Sequence, residues 1–92
     1  MENYKDELKY FLNEVGQLIS WPAKSKKQKF VYPYLADKIE FDRDYSETEI
    51  NDLLNTWHTF SDAALLRREF YIKGHLDRKE DGSLYWKTTP TP

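Results

Sequence analysis

The sequence predicts an α+β domain of winged-helix type, in which an extra N-terminal helix and three core helices precede a C-terminal β-hairpin, the wing. Three observations carry this prediction. Apolar residues recur at helical spacing in four stretches, a Ser-x-x-Glu capping box opens one of them, and an Asp-Gly pair separates two β-prone runs. The 92 residues can bury one hydrophobic core and are too few for a second.

The N-terminal extension, residues 1–15, is expected to form a helix over 4–15 that ends at Gly16, a favourable C-cap. Its apolar positions share one helical face: Tyr4, Leu8, Phe11, Leu12 and Val15. The run 17–21 is β-prone and stands before Pro22, so it predicts a short strand or an extended entry into the core.

A second helix is predicted from Lys24 to about Glu40, although Pro33 interrupts the apolar pattern. Proline cannot donate a backbone hydrogen bond. Either the helix is kinked at Pro33, or Pro33 lies in the first turn of a shorter helix. The charged stretch 41–45 then predicts a connecting loop.

Two further helices follow, joined by a short turn at 58–60 as in a helix-turn-helix. Ser46 and Glu49 form the capping box of the first. Its apolar stripe is the cleanest in the chain: Ile50, Leu53, Leu54 and Trp57. The second occupies the place of a recognition helix, 61–73, with Ser61 or Asp62 as its N-cap and Gly74 at its end.

The runs 76–79 and 84–87 predict the two strands of the hairpin, so that residues 77–87 form the wing. Asp81 and Gly82 between them predict a type I′ turn. One domain is therefore expected over residues 1–87, consisting of the extension 1–15 and a core 16–87. Residues 88–92 lack an apolar anchor and are expected to be a disordered tail.

The composition excludes several classes of protein. The chain contains no cysteine, which rules out disulfides and thiolate metal sites and favours a reducing compartment. Residues 1–6 lack the pattern of a signal peptide, and no apolar run approaches the ~20 residues of a membrane span. We therefore expect a cytoplasmic protein that has no contact with a membrane.

The net charge of −2 hides an uneven distribution of charges. Residues 16–36 carry +4, all of it from lysines: Lys24, Lys26, Lys27 and Lys29. Residues 37–62, here called the acidic belt, carry −6, and residues 63–92 carry +2. The overall balance gives no electrostatic reason to expect nucleic acid, whereas the local patches leave that function open.

Several spaced motifs occur together: Trp21-Pro22-Ala23-Lys24, Tyr45-Ser46-Glu47, Trp57-His58-Thr59-Phe60 with Asp62, Leu66-Arg67-Arg68-Glu69, Asp81-Gly82-Ser83 and Tyr85-Trp86. In this combination the chain resembles the bacterial family called domain of unknown function 2087, over roughly residues 16–87. That resemblance implies a winged-helix-like domain found alone or behind regulator domains of the arsenic-repressor type, and so a context of transcriptional regulation. Pro33 departs from the family's uninterrupted helix.

Catalytic and metal sites have no basis in the sequence. His58 and His75 stand in different elements without further ligands at metal-binding spacing. Ser61, His58 and Asp62 are neighbours, but one turn cannot orient all three as a catalytic triad. Glycines are too few for a phosphate-binding loop. We expect no enzyme activity, no cofactor and no metal.

Nucleic-acid binding is the leading functional hypothesis. Arg67, Arg68 and Lys73 lie on the predicted recognition helix, where guanidinium groups could meet phosphates or base edges. The lysines of 24–29 could bind phosphates and Trp21 could stack on a base. The alternative for Arg67 is an ion pair with Asp62 or with a carboxylate of the preceding helix. Glu47, Glu49, Glu80 and Asp81 oppose a standard docking pose because they repel phosphate.

Two other functions remain open. The acidic belt could bind a basic protein partner while the N-terminal helix docks or forms a homodimer. The aromatic residues Trp57, Phe60, Tyr85 and Trp86 could surround a small ligand, although a domain of this size needs most of its aromatic residues in the core.

Overall fold

The computed structural model describes residues 4–90, and these form four α-helices and a three-stranded antiparallel sheet. The helices are α1 (Tyr4–Glu7), α2 (Ser25–Ala36), α3 (Glu47–Thr56) and α4 (Ala63–Ile72). The strands are β1 (Asp44–Ser46), β2 (Leu76–Arg78) and β3 (Leu84–Lys87), in the order β1-β3-β2. The predicted α+β class is confirmed, and this order of elements does not conflict with a winged-helix arrangement.

The N-terminal helix is shorter than predicted, because α1 ends at Glu7 and only a 3-10 turn, Lys9–Phe11, follows it. The cause lies in Asn13, whose side-chain oxygen accepts hydrogen bonds from the backbone N–H groups of Val15 (3.1 Å) and Gln17 (2.9 Å). This local turn competes with continued helix. Residues 1–3 of the predicted extension lie outside the described residues.

The predicted strand at 17–21 is reduced to a single extended residue that bridges two segments. Leu18 pairs with Leu12 on one side and with His58 on the other. Its N–H donates to the carbonyl of Trp57 at 2.8 Å, and its own carbonyl accepts from Thr59 at 2.9 Å. Leu18 thereby ties the N-terminal segment to the turn between α3 and α4.

Helix α2 contains Pro33 in its interior, so the alternative in which Pro33 opens a shorter helix is wrong. The helix ends earlier than predicted, at Ala36, and hydrogen-bonded turns continue as far as Ile39. Lys24 occupies the N-cap position and contributes no side-chain hydrogen bond there. The first N–H groups of α2 therefore lack the protection that a capping side chain gives.

Residues 41–45 were predicted to form a loop. The prediction is wrong for residues 44 and 45, which belong to strand β1. Asp44, Tyr45 and Ser46 pair with Trp86, Tyr85 and Leu84 of β3. Tyr45 is buried and its hydroxyl accepts the N–H of Glu40 at 3.0 Å. The charged neighbours obscure this strand in the sequence, because only one of its three side chains is buried.

The hairpin forms where it was predicted, with a different turn. Asp77 pairs with Trp86, and Arg78 pairs with Tyr85. Next to the turn, the N–H of Lys79 donates a hydrogen bond to the carbonyl of Leu84 at 3.0 Å. A type I′ turn requires positive φ at both central residues. Gly82 has φ 74°, but Asp81 does not have a positive φ, so that prediction is wrong. Asp81 instead accepts the N–H of Ser83 at 2.9 Å.

The core joins α2, α3, α4 and the sheet. The fully buried side chains of the core helices include Val31, Ile50, Leu54, Leu66 and Phe70. Of the predicted stripe on α3, Ile50 and Leu54 are buried, whereas Leu53 and Trp57 pack at the margin. Burial of Leu66 and Phe70 fixes which face of α4 turns outward, and Arg68 lies on that outward face.

The predicted tail begins in contact with the domain. The N–H of Thr88 donates to His75 at 3.0 Å, and its hydroxyl donates to the carbonyl of Gly74 at 2.6 Å. The chain after β3 therefore lies against residues 74 and 75, which follow α4. Residues 91–92 lie outside the described residues.

Candidate nucleic-acid interface

Helix α4 begins at a well-defined cap and lies with one face in the core. Asp62 is the N-cap, and its carboxylate accepts the N–H of Leu65 at 3.1 Å, as one of the two predicted caps requires. Residues 67 and 71 then follow one flank of the helix, residues 69 and 73 follow the other, and residue 68 points outward, because successive positions are about 100° apart. Residues of the two flanks line two different cavities.

Arg67 is engaged by its own domain. Its guanidinium donates to the side-chain oxygen of Asn51, lies 3.4 Å from Glu47, and stands 5.7 Å from the ring centre of Tyr85. The side chain is 19% exposed. Arg67 therefore forms an ion pair with a carboxylate of the preceding helix, as the alternative interpretation of the sequence expected, and the partner is Glu47.

Arg68 differs from its neighbour. Its side chain is 65% exposed and its one ion-pair contact within residues 4–90 is a loose approach of 4.0 Å to Glu69. An exposed pair at this distance adds little energy. The guanidinium of Arg68 is therefore available to an external ligand.

A small cleft lies between α4 and the hairpin, with a volume of about 180 Å³. Its lining, here called the arginine cleft, consists of Arg67, Arg68, Tyr71, Arg78 and Tyr85. Arg78 reaches it from β2 and rests 5.1 Å from the ring centre of Tyr71. Three guanidinium groups thus converge on one opening.

The turn of the hairpin folds toward this cleft. A methyl group placed on Gly82 would lie 3.6 Å from a guanidinium nitrogen of Arg78 and 3.8 Å from the hydroxyl of Tyr85. Gly82 also has φ 74°, which favours glycine. Both distances are ordinary van der Waals contacts, so the positive φ, and not a lack of space, is the reason for glycine here.

Arg78 is the residue that the sequence analysis missed. It pairs with Tyr85 across the strands, so it shares the face of the sheet that carries buried Tyr85 and turns toward α4. A hint was present in the sequence, because alternation along 76–78 puts Arg78 on the same face as apolar Leu76.

The other predicted contact residues are distributed over a separate surface. Lys24 and Lys26 are exposed at the start of α2, and Lys27 pairs with Glu7 at 3.6 Å. Trp21 is half-buried and packs edge-on against Tyr32, 5.9 Å between ring centres. Trp21 therefore has a structural contact beside its predicted stacking role.

Lys29 and Lys73 come together although they are far apart in sequence. Both line a cavity of about 240 Å³ on the second flank of α4, opposite the flank of Arg67. The remaining lining residues are Ser25, Gln28, Tyr32, His75 and Pro90. The structure thus places Arg67 and Arg68 at one cavity and Lys29 and Lys73 at another, and the other three predicted lysines line neither.

Comparison with known families gives a match that covers most of the chain. The profile of a family described as an uncharacterized protein conserved in bacteria, DUF2087, matches residues 17–87. The chain belongs to this family. The resemblance seen in the sequence is thereby confirmed over nearly the same range. Comparison with curated proteins and with solved structures gives no match.

The acidic belt of this DUF2087 domain is only partly neutralised. Arg43 contacts Glu40 at 3.3 Å and Glu49 at 3.5 Å, and the hydrogen bonds from Ser46 hold the pKa of Glu49 below its usual value. Among the described residues no ion pair joins the belt to the lysines of 24–29. Glu47 contacts Arg67 and Asp62 caps α4, and the other exposed carboxylates of the belt are Asp37, Asp42, Asp44 and Asp52.

His58 serves the turn of the DUF2087 domain between α3 and α4. Its Nδ1 is 2.6 Å from the carbonyl of Leu54, and its Nε2 accepts the N–H of Asp62 at 2.9 Å. Because both ring nitrogens are used by the backbone, His58 cannot act as a base toward Ser61. Residues 4–90 also hold no group of three or more metal-ligating side chains. No helix among them is long and apolar enough to cross a membrane.

Proposed function

We propose that this DUF2087 domain is a non-enzymatic regulatory module that binds double-stranded nucleic acid through α4 and the β2–β3 hairpin. The observation that carries the proposal is the arginine cleft, in which Arg68 and Arg78 stand beside Arg67 on two elements that face each other. A guanidinium fork matches the geometry of phosphate oxygens.

The charges in the arginine cleft favour an anion. Glu47 offsets Arg67 at 3.4 Å, whereas Arg68 has only its loose contact with Glu69. Arg78 stacks on Tyr71 and forms no ion pair with another described residue. Two guanidinium groups are therefore left to neutralise phosphate, and the cleft between them has a volume of about 180 Å³.

Arg67 has a supporting part in this proposal. It fixes α4 against α3 and Tyr85, and so sets the distance between Arg68 and the hairpin. Lys73 and the lysines of 24–29 add positive potential from the adjoining surface. The resemblance to a family found behind arsenic-repressor-type regulators supports the same assignment.

The surrounding carboxylates limit the affinity. Glu80 and Asp81 stand in the turn of the hairpin, and the chain as a whole carries −2. We therefore expect binding that depends mainly on phosphates and has a dissociation constant of about 10⁻⁴ to 10⁻⁶ M at physiological salt.

Fluorescence anisotropy with a labelled mixed-sequence duplex at low salt tests the proposal. The variant Arg68→Ala/Arg78→Ala should bind about ten- to a hundredfold more weakly than the natural protein, because two charge-assisted contacts are lost. Lys5→Ala/Lys9→Ala, which removes two exposed cations near α1, is the matched control and should bind almost as the natural protein does. Equal losses in both variants would show that net charge, not the arginine cleft, controls binding.

A second candidate is favoured by the unpaired carboxylates of the acidic belt, which suit a basic protein partner. Dimerisation through the N-terminal face has less support, because Leu8 of that face is buried in its own domain. If the natural protein fails to bind the duplex even at low salt, the acidic belt becomes the better site.

A further inference from the structure

The sheet presents one face to the core and one to solvent. The buried rings of Tyr45 and Tyr85 pair across β1 and β3 and belong to the core. Side chains alternate between the two faces along each strand. Trp86, which follows Tyr85, therefore lies on the opposite face with Asp44 and Asp77, its partners in the register. These three residues, Asp44, Trp86 and Asp77, form one row across the three strands, here called the tryptophan row.

Trp86 lacks the contacts that the other two tryptophans make. Trp21 packs edge-on against the ring of Tyr32. The ammonium of Lys38 lies 4.4 Å from the centre of the Trp57 ring. Trp86 is half-buried and has neither a ring nor a cation in contact with it within residues 4–90. Its ring is therefore available to a second molecule.

Two carboxylates flank this ring. Asp44 and Asp77 are exposed, and neither forms an ion pair with another described residue. Directly opposite residues on neighbouring strands have Cβ atoms about 4.5–5.5 Å apart. An oxygen of Asp77 accepts the N–H of Arg78 at 2.7 Å, which orients the carboxylate. A cation above the Trp86 ring would therefore lie between two negative charges.

An aromatic ring beside the row already attracts a cation of its own chain. Phe41 is 54% exposed and lines an open cavity of about 480 Å³ together with Asp44 and Trp86. The ammonium of Lys87 lies 4.2 Å from the centre of the Phe41 ring. Aromatic faces bind cations, and tryptophan binds them best. The cavity is within the range of about 300–1,000 Å³ typical of ligand pockets, so an arginine side chain fits it.

The positive groups at this cavity do not cancel its acidity. Arg43 also lines it, but its guanidinium contacts Glu40 at 3.3 Å and Glu49 at 3.5 Å. Lys87 opposes a second cation. The carboxylate of Asp42, at the same cavity, adds to those of the tryptophan row. The charge of this surface therefore favours a basic partner.

We propose that the outward face of the sheet binds a basic segment of a protein partner, with an arginine side chain stacked on Trp86 between Asp44 and Asp77. A guanidinium group is planar, stacks on aromatic rings and pairs with carboxylates, and it is less strongly hydrated than an ammonium group. The tryptophan row lies on the face of the sheet opposite to Arg78 and the arginine cleft. The proposal therefore does not rest on duplex binding.

The test is an NMR titration of the ¹⁵N-labelled full chain with a synthetic hexapeptide in which serine and arginine alternate. The indole N–H signal of Trp86 should shift and saturate with a dissociation constant of about 1 mM, while the signals of Trp21 and Trp57 stay in place. The same peptide with uncharged citrulline for arginine should bind about tenfold more weakly or less. A Trp86 signal that stays in place, a shift that does not saturate, or equal binding of the two peptides would overturn the proposal.

The flanking carboxylates have a matched pair of variants. Asp44→Asn/Asp77→Asn should weaken peptide binding by about tenfold or more, because two charge-assisted contacts are lost. Asparagine keeps the side-chain oxygen that accepts the N–H of Arg78. The control Glu14→Gln/Glu80→Gln removes two exposed carboxylates outside the row and should keep the affinity within about twofold. Equal losses in both variants would show that net charge, not the row, controls binding.

Two single variants test the geometry of the row. Asp77→Asn alone should weaken binding, because Asp77 belongs to the row and lies outside the acidic belt. Trp86→Leu keeps an apolar side chain and should weaken binding by about tenfold, measured from the amides of Asp44 and Asp77. Unchanged indole signals of Trp21 and Trp57 show that it is folded. Natural affinity in either variant would overturn the proposal, and the citrulline peptide tests the same contact without altering the protein.

Other occupants are distinguished in the same experiment. Arg68→Ala/Arg78→Ala should bind the peptide no more weakly than the natural protein, although its duplex binding is reduced. A Trp86 signal that moves on dilution of the protein alone would identify a second copy of the chain as the occupant. A Trp86 signal that moves with the duplex would identify nucleic acid. Either result would overturn the proposal, whereas failure of duplex binding alone would leave it standing.

Discussion

At the scale of single residues, Arg67 and Arg68 show how neighbours on one helix acquire different roles. Position 67 faces α3 and β3, where Asn51, Glu47 and Tyr85 surround the guanidinium. Position 68 faces outward with its side chain 65% exposed. The spacing of about 100° per residue separates a structural arginine from one that is free to bind.

Arg67→Ala should therefore lower the free energy of unfolding by about 1–3 kcal/mol, because a hydrogen bond and the packing on Tyr85 are lost. Arg68→Ala, the control, should change it by no more than about 0.5 kcal/mol. Urea unfolding followed by circular dichroism measures both. Equal stability of the two variants would show that Arg67 is not a brace.

His75 predicts a pH dependence of stability. Burial and the positive charge of Lys87 lower the pKa of His75 from its ordinary value of 6.5 in the folded protein. The unfolded chain then binds more protons just below pH 6.5, so stability falls as the pH drops through that value and levels off below the folded pKa. Lys29 and Lys73 line the same cavity as His75.

Chemical unfolding at several values of pH between 7 and 5 measures this effect. The natural protein should lose stability over this range more steeply than His75→Gln. Glu49 and Asp81 do not mask the difference, because their lowered pKa values matter only at more acidic pH. Parallel curves for the two proteins would contradict the burial of a neutral His75.

At the scale of elements, the start of α3 forms both hydrogen bonds of the capping box that the sequence predicts. The Ser46 hydroxyl accepts the N–H of Glu49 at 3.1 Å, and the Glu49 carboxylate accepts the N–H of Ser46 at 2.9 Å. Ser46 also ends β1, so this residue joins a strand directly to a helix.

Ser46→Ala should destabilise the domain by about 1 kcal/mol, because the N-cap hydrogen bond is lost. Thr48→Ala, on the same exposed first turn, is the control and should have little effect. Thermal unfolding of both variants measures the difference. A melting temperature for Ser46→Ala equal to that of the control would show that the capping box contributes nothing.

The elements also show which features the sequence can predict. The capping box and the Asp62 cap were predictable because both partners lie within one turn of chain. Strand β1 was not, because its partner β3 is distant in sequence and only Tyr45 is buried. The short α1 was not, because an Asn13 side-chain turn overrides a convincing apolar stripe.

The same reasoning applies to the candidate sites. Arg67, Arg68 and Lys73 could be found from their place on a helix, and the lysines of 24–29 from their clustering. Arg78 joins the arginine cleft only through the strand register, and the meeting of Lys29 with Lys73 depends on the packing of α2 against α4's end. Neither follows from local spacing.

At the scale of the whole molecule, a small domain with a net charge of −2 carries two basic sites on opposite flanks of α4. Arg67, Arg68 and Arg78 line one of them, and Lys29 and Lys73 line the other.

The salt dependence of duplex binding tests whether Arg68 and Arg78 contact backbone phosphates. The logarithm of the binding constant should fall linearly with the logarithm of salt concentration, by about 0.9 for each phosphate neutralised. Arg68→Ala/Arg78→Ala should therefore have a slope shallower by about 1.8 than the natural protein, with Lys5→Ala/Lys9→Ala unchanged. Identical slopes for the natural protein and the arginine variant would show that Arg68 and Arg78 do not contact the phosphates.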